Sequence, residues 1–269
     1  MKHHSGGFQR ALLTALGAVL LLFLALPLAA LVLGSSPSAL GAGLREPAVR
    51  SALSLSLWTT LVSLLVVVLL GTPLAWGLAR GQGGLNGALE TLVQLPIVVP
   101  PAVTGVAMLL AFGRQGLLSG VLYPEGASIA FTTLAVIFAQ VFVSAPFYVQ
   151  AAVSAFRRIE PELLVVARSL GASPARLLLR VAIPIAAPGL LAGAVMSWAR
   201  ALGEFGATLM FAGNLPGVTQ TLPLAIYTAL ESDVRIAQTL SIILVVVALG
   251  LLLLVRSLTG KRDEAGGVR

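Results

Sequence analysis

Residues 156–184 read FRRIEPELLVVARSLGASPARLLLRVAIP, a basic, helix-patterned stretch set between two long apolar runs. Glu160-Pro161-Glu162 predicts a helix start. Proline suits the first helical position, and Glu162 faces the positive end of the helix dipole. Leu163, Val166 or Ala167, and Leu170 recur at helical spacing and predict one apolar face. Arg168 falls in the last turn, and Gly171 follows as a left-handed cap. Ser173-Pro174 then restarts a helix, with Ser173 as N-cap. Leu177 and Val181 lie four apart, Arg176 and Arg180 form a basic stripe, and Pro184 marks the start of the next apolar run. The object is helix, tight Gly-Ala-Ser-Pro corner, helix. The residues allow two readings: an amphipathic hairpin lying in a headgroup layer with its arginines on lipid phosphates, or a knob that docks a partner.

The rest of the chain says what this hairpin projects from. Of 269 residues, 58% are hydrophobic and only 10% charged; soluble domains average about 25% charged. Long unbroken apolar runs exclude a β-barrel, whose strands are short and alternating. The fold class is therefore all-α, a polytopic transmembrane helical bundle forming a single transmembrane domain over 1–269. Six spans are expected: Ala11–Leu33, Leu53–Ala79, Thr91–Phe112, Ala130–Ala155, Ile185–Leu209 and Ala237–Val255. Each has the roughly 20 apolar residues that cross a ~30 Å hydrocarbon core. The first is too long for a signal-peptide h-region and is expected to be retained.

Charge orients the bundle. With both termini cytoplasmic, the inner Lys/Arg are Lys2, Arg10, Arg80, Arg157, Arg158, Arg168, Arg176, Arg180, Arg256, Lys261, Arg262 and Arg269. Only Arg45, Arg50, Arg114 and Arg235 fall outside, and Arg200 lies within a span. The positive-inside rule supports this arrangement. The net charge of +7 reads as topology and attraction to anionic lipid rather than to nucleic acid.

The chain has no cysteine, so disulfides, thiolate metal sites and thiol nucleophiles are excluded. Its two histidines, His3 and His4, sit in the N-terminal tail. No H-E-x-x-H and no aspartate pair occurs in a span, which argues against an intramembrane enzyme. Gly260-Lys261 is followed by Arg262 and lacks the upstream glycine of a nucleotide-binding loop. A motor is therefore expected on another chain. The tail after Val255 is too short for a folded regulatory domain.

Two places inside the spans carry unusual residues. The third span holds Pro96, Pro100 and Pro101, with Gly105 a turn later; Pro146 lies in the fourth. Proline removes backbone donors and kinks a helix, and such breaks persist in a membrane only where other helices or a wet cavity satisfy the freed groups. Kinked packing and a bending, path-lining span both fit. Arg200 and Glu204, four apart on the fifth span, share a face. Arg200 lies roughly 22 Å along it from Ile185, in the outer half. A structural ion pair and a site on the path of a dianion are both open. Gly203, Gly206 and Ala207 permit close helix approach. Outside, Glu231, Asp233 and Arg235 share a loop with the turn Asn214-Leu215-Pro216-Gly217.

The hairpin resembles the loop of ABC importer permeases of the type I fold, whose pattern is E-A-A, three residues, G, nine residues, I-x-L-P. Here Val165-Val166-Ala167 precedes Gly171, and Val181-Ala182-Ile183-Pro184 closes the pattern. The spacing matches throughout, with Ala167, Gly171 and Pro184 identical. The family's Glu is absent at Val165, so its polar contact does not carry over; Glu162, one turn earlier, is the candidate substitute. A second stretch, WARALGEFGATLMFAGNLPGVTQTLPLAIY at 198–227, is similar to molybdate permeases, with sulfate permeases close behind. LPIVVPP at 95–101 and FGRQG at 112–116 resemble the same group. The resemblance covers a permease core of about 53–256.

It implies that 156–184 is a cytoplasmic coupling loop, with Ala167, Arg168, Ser169, Leu170, Gly171, Ala172 and Ser173 contacting an ATP-binding subunit. It implies a homodimer in the cytoplasmic (inner) membrane of a prokaryote, working with that ATPase and an extracytoplasmic oxyanion-binding protein. ATP and magnesium would be used by the ATPase, with no cofactor or metal on this chain. Arg200, Glu204, Pro100 and Pro101 are the candidate substrate-path or gate residues. The expected function is ATP-driven import of molybdate, with sulfate or tungstate as alternatives. A secondary transporter working alone needs intramembrane acids; only Glu204 qualifies clearly, and no inverted repeat is visible.

Overall fold

The computed structural model describes residues 5–34, 37–122 and 128–263, which form helices and no strand. Lys2, His3, His4 and Arg269 lie outside the described residues. In chain order the helices are α1 (Ser5–Leu33), α2 (Pro37–Gly43), α3 (Pro47–Arg80), α4 (Gly84–Val98), α5 (Pro101–Phe112), α6 (Ser119–Leu122), α7 (Thr133–Arg157), α8 (Pro161–Ser169), α9 (Pro174–Leu177), α10 (Ile183–Leu202), α11 (Gly206–Ala212), α12 (Leu222–Ser232) and α13 (Val234–Asp263). Four uninterrupted helical stretches are long and apolar enough to cross a membrane: Leu12–Leu33, Pro47–Arg80, Thr133–Arg157 and Pro174–Leu202. The pair α4 and α5 supplies a fifth if it is one broken span, and α13 contributes the shorter apolar stretch Val234–Gly250. The six expected spans are compatible with this set.

Three helices form the centre. α7 lies between α3 and α10, and the three share a core in which Val67, Ala75, Tyr148, Ala152, Phe156, Ala186 and Leu190 are buried. A hydrogen-bonded polar ladder crosses this centre. The Gln140 amide donates to Thr59 Oγ1 at 3.1 Å and accepts from Ser63 Oγ at 3.0 Å. Trp198 Nε1 donates to Thr60 Oγ1 at 3.0 Å, and the Leu222 N–H donates to Ser56 Oγ at 2.7 Å. Thr72 and Tyr148 share a hydrogen bond of 2.6 Å. With no water in a bilayer core, these polar groups are satisfied by one another and by backbone carbonyls. The ladder therefore fixes the register of α3, α7, α10 and α12. A second core, with Met108, Val136, Ala139 and Phe211, joins α5 and α11 to the first half of α7. A third joins α12 and α13 to the start of α3 through Val49, Leu222, Ala225 and Leu240. By contrast, the apolar window of α1 is 0% buried; its end meets α13, where Gln238 donates to the Leu31 carbonyl at 3.0 Å.

Two expected spans are not single helices. The third, Thr91–Phe112, starts earlier as α4 and turns by 115° into α5. Tandem prolines explain the size of the turn. The residue before a proline is pushed out of the helical region, and both Val99 (φ −71°, ψ 128°) and Pro100 (φ −55°, ψ 139°) are extended. Pro101 then occupies the first position of α5, where its missing N–H is not needed. The fifth span, Ile185–Leu209, ends as a helix at Leu202 and restarts as α11 at Gly206. Glu204 therefore lies in a break and not on the helix that carries Arg200.

At its other end α10 runs back without interruption into α9. Pro184 does not break the helix because a π-helical turn, Leu178–Ala182, precedes it, and the Ile183 N–H donates to the Leu178 carbonyl, five residues back. Widening the turn relieves the clash a proline makes with the carbonyl four residues earlier.

Candidate functional site

The corner between α8 and α9 has the geometry its sequence predicts. Gly171 adopts φ +80°, where a side chain is strained and glycine is not. Its N–H donates to the Arg168 carbonyl at 2.9 Å, and the Ala172 N–H to the Ala167 carbonyl at 3.1 Å. These are the paired bonds of a Schellman cap. Ser173 Oγ accepts from the Arg176 N–H at 3.3 Å, capping α9. Arg176 also reaches the Gly171 carbonyl at 3.4 Å, and Ser169 Oγ donates to the Val165 carbonyl at 3.1 Å.

α8 turns one face to the bundle and leaves most of the periodic apolar stripe outside. Leu164, 5% exposed, and Ala167 anchor the corner, together with Ile159 and Leu177. Leu163, Val166 and Leu170 point outward, Leu170 with 83% of its surface free. The apolar periodicity was real, but α8 carries apolar residues on two faces, and the bundle takes only one. Arg168, Ser169, Gly171 and Ser173 are exposed beside that outward face, and Ala172 is half-buried.

At the far end of the bundle, the break after α10 brings Arg200 and Glu204 together. Arg200 Nη2 lies 2.7 Å from Glu204 Oε2; Glu204 is 1% exposed and the arginine side chain 28%. The other carboxylate oxygen accepts the Ala207 N–H at 2.8 Å, in the first turn of α11, where a negative charge is favoured. Arg200 lines a pocket of about 80 Å³ with Pro96, Pro101, Thr104, Val143 and Phe147. Pro101 thus joins the arginine. Pro100 does not line the pocket; its carbonyl accepts the Thr104 N–H at 3.0 Å. Gly206 packs on Pro101 so closely that an added Cβ would lie 2.6 Å from the Pro101 Cβ.

Sequence reasoning missed Thr104. It is 1% exposed and its hydroxyl has no partner within the described residues. The available signal was a lone hydroxyl one turn after the double proline. The pocket therefore offers a guanidinium, already balanced by a carboxylate, beside a free hydroxyl. That combination can donate hydrogen bonds to a small polar group without enclosing it in net positive charge.

A bundle with a proline-broken span, an outward-facing capped corner and a charge-balanced pocket has the fold of an ABC transporter permease. The same fold is seen in the crystal structure of a bacterial alginate ABC transporter in complex with an alginate pentasaccharide-bound periplasmic protein, with a TM-score of 0.74 at 19% identity over 94% of this chain and 95% of that one. Residues 71–260 match the family described as binding-protein-dependent transport system inner membrane component, and the chain belongs to that family. It is 46% identical over 228 residues to the molybdenum transport system permease protein ModB of Mycobacterium tuberculosis, covering 85% of this chain and 86% of that protein. It is 34% identical over 254 residues to the molybdate/tungstate transport system permease protein WtpB of Thermococcus kodakarensis, covering 94% and 96%. The chain is thus a multi-pass membrane transport subunit and not itself an ATPase.

Proposed function

We propose that this chain is the membrane-spanning permease subunit of an ATP-driven molybdate importer. The observation that carries this reading is the similarity to molybdenum permeases over most of the chain, which includes the charge-balanced Arg200 pocket. Tungstate and sulfate share the tetrahedral dianion chemistry and are the alternatives.

In this reading the subunit pairs with a second copy of itself in the cytoplasmic membrane of a prokaryote, both termini inside. Two cytoplasmic ATP-binding subunits use ATP and magnesium. A binding protein delivers the oxyanion from outside. Residues 156–184 are the coupling loop, and Ala167–Ser173 are the contact with the ATPase. The outward apolar face of α8 and the rigid cap at Gly171 support this: such a face remains uncovered unless a partner takes it. When the ATPases close, the corner moves as a unit and drives α9 and α10, because the helix is continuous across the π-helical turn. Arg200 and Thr104 attract the anion on its path, Glu204 holds the arginine in place, and the Pro100-Pro101 elbow is where the third span bends.

The test is ATPase activity and uptake in proteoliposomes holding the permease, its ATPase and its binding protein, titrated in turn with molybdate, tungstate and sulfate. Stimulation by one loaded binding protein establishes the importer and names its anion. Anion movement by the permease alone, without ATP, would replace this reading with a secondary transporter.

A further inference from the structure

A second pocket lies on the same helix seam as the Arg200 pocket, nearer the α8–α9 corner. It measures about 160 Å³, and its polar lining is Glu90, Gln94, Gln150, Ser154 and Arg157. Glu90 and Gln94 are four apart on α4. Gln150, Ser154 and Arg157 follow at spacings of four and three on α7. Each set is therefore one stripe on one helix face, and the two stripes face each other. Glu90 and Arg157 join across the seam as an ion pair, and Asn86 donates to Glu90 at 3.3 Å. Among the described residues, the amides of Gln94 and Gln150 have no hydrogen-bond partner.

The two pockets are consecutive. Along α4 the corner-end pocket stops at Gln94 and the Arg200 pocket begins at Pro96. Along α7 the first begins at Val149 and the second ends at Phe147. At ~1.5 Å per residue each gap, two residues long, is about 3 Å along its helix. Polar side chains on membrane helices face the bundle interior or water rather than lipid, so two facing polar stripes mark a wet seam.

We infer that the α4–α7 seam is the oxyanion's path from the Arg200 pocket to the corner end, and that Gln94, Gln150 and Ser154 are its hydrogen-bond donors there. This rests on the proposed import function. The donors are neutral, and the one cation in the stripe, Arg157, is balanced by Glu90. A tetrahedral dianion is thus handed from the guanidinium of Arg200 to groups that bind it without holding it, which suits release.

The chain contains no cysteine, so single-cysteine variants require no cysteine to be removed from it, and labelling is read on this chain. Gln94→Cys and Gln150→Cys in the assembled complex are treated with a negatively charged methanethiosulfonate. Leu92→Cys, on the opposite face of α4, is the comparison. Labelling about tenfold faster at the two glutamine positions is expected if the seam is wet. Equal rates would overturn the path. Molybdate uptake by Gln94→Leu/Gln150→Leu is expected to fall by about fivefold or more through loss of the donors; uptake at the wild-type rate would overturn their role. Failure of the wild-type complex to import any oxyanion would instead overturn the import function, a result the labelling comparison does not share.

Discussion

Arg200 and Glu204 meet at 2.7 Å across the point where α10 ends. The arginine is the last charged residue of that helix, and the carboxylate belongs to the break that follows. Glu204 binds the arginine with one oxygen and the first turn of α11 with the other. A single buried carboxylate therefore ties the end of one helix to the start of the next, beside the proline elbow.

Glu204→Gln should loosen this joint. Breaking a fully buried ion pair costs about 3–5 kcal/mol. Arg200 keeps part of its surface in water, so a smaller loss of about 1–3 kcal/mol is expected after allowing for solvent screening. Arg200→Gln should destabilise at least as much, because it leaves the buried Glu204 carboxylate without its cation, and it should also lower oxyanion uptake. Thermal unfolding in detergent and uptake in proteoliposomes measure the two effects; an Arg200→Gln permease with normal uptake would remove the arginine from the path.

Gly171→Trp should uncouple transport without unfolding the bundle. No atom lies within 4 Å of the position a Cβ would take, so the side chain projects outward over the proposed ATPase contact. The left-handed backbone adds a local penalty of roughly 1–2 kcal/mol. Loss of ATP-driven uptake with a folded permease is the expected result, and normal uptake would sink the docking assignment.

Gly206→Val tests the packing of α11 on the elbow. An added Cβ meets Pro101 at 2.6 Å, and overpacking of this kind costs about 1–3 kcal/mol. A lower unfolding temperature is expected, together with reduced uptake, because the elbow and Glu204 share this contact. Unchanged stability would mean that the α5–α11 contact yields easily.

Gln140→Leu should destabilise the bundle centre. It removes the amide that bonds Thr59 and Ser63, leaving those hydroxyls only their backbone carbonyl acceptors. Loss of the two hydrogen bonds costs about 1–3 kcal/mol in total. The same substitution lies away from both pockets, so uptake per folded permease should stay near wild type; differential scanning fluorimetry beside uptake separates the two.

Much of this protein was legible because local rules govern it. Gly171, Ser173 and Pro161 act within a turn of themselves, and the corner has the cap they predict. The prolines of the third span marked it for a kink, and the break falls at Val99 and Pro100 because the residue before a proline is disfavoured in the helix. Its 115° size was not predictable, because the angle depends on how α5 packs against α11. Which face α8 buries was not legible either. Leu163, Val166 and Leu170 form as good a stripe as Leu164 and Ala167, and periodicity cannot say which stripe meets the bundle.

By itself, the sequence determined the helical membrane class, the capped corner and the presence of an arginine within an apolar stretch. Length, hydropathy and backbone sterics settle such features locally. Tertiary structure decided that Glu204 leaves the helix yet keeps Arg200, that Thr104 joins them, and that polar stripes on α4 and α7 face each other. Those relationships depend on how helices distant in sequence are rotated and set in register, which is fixed by close packing and by the need of buried polar groups for partners.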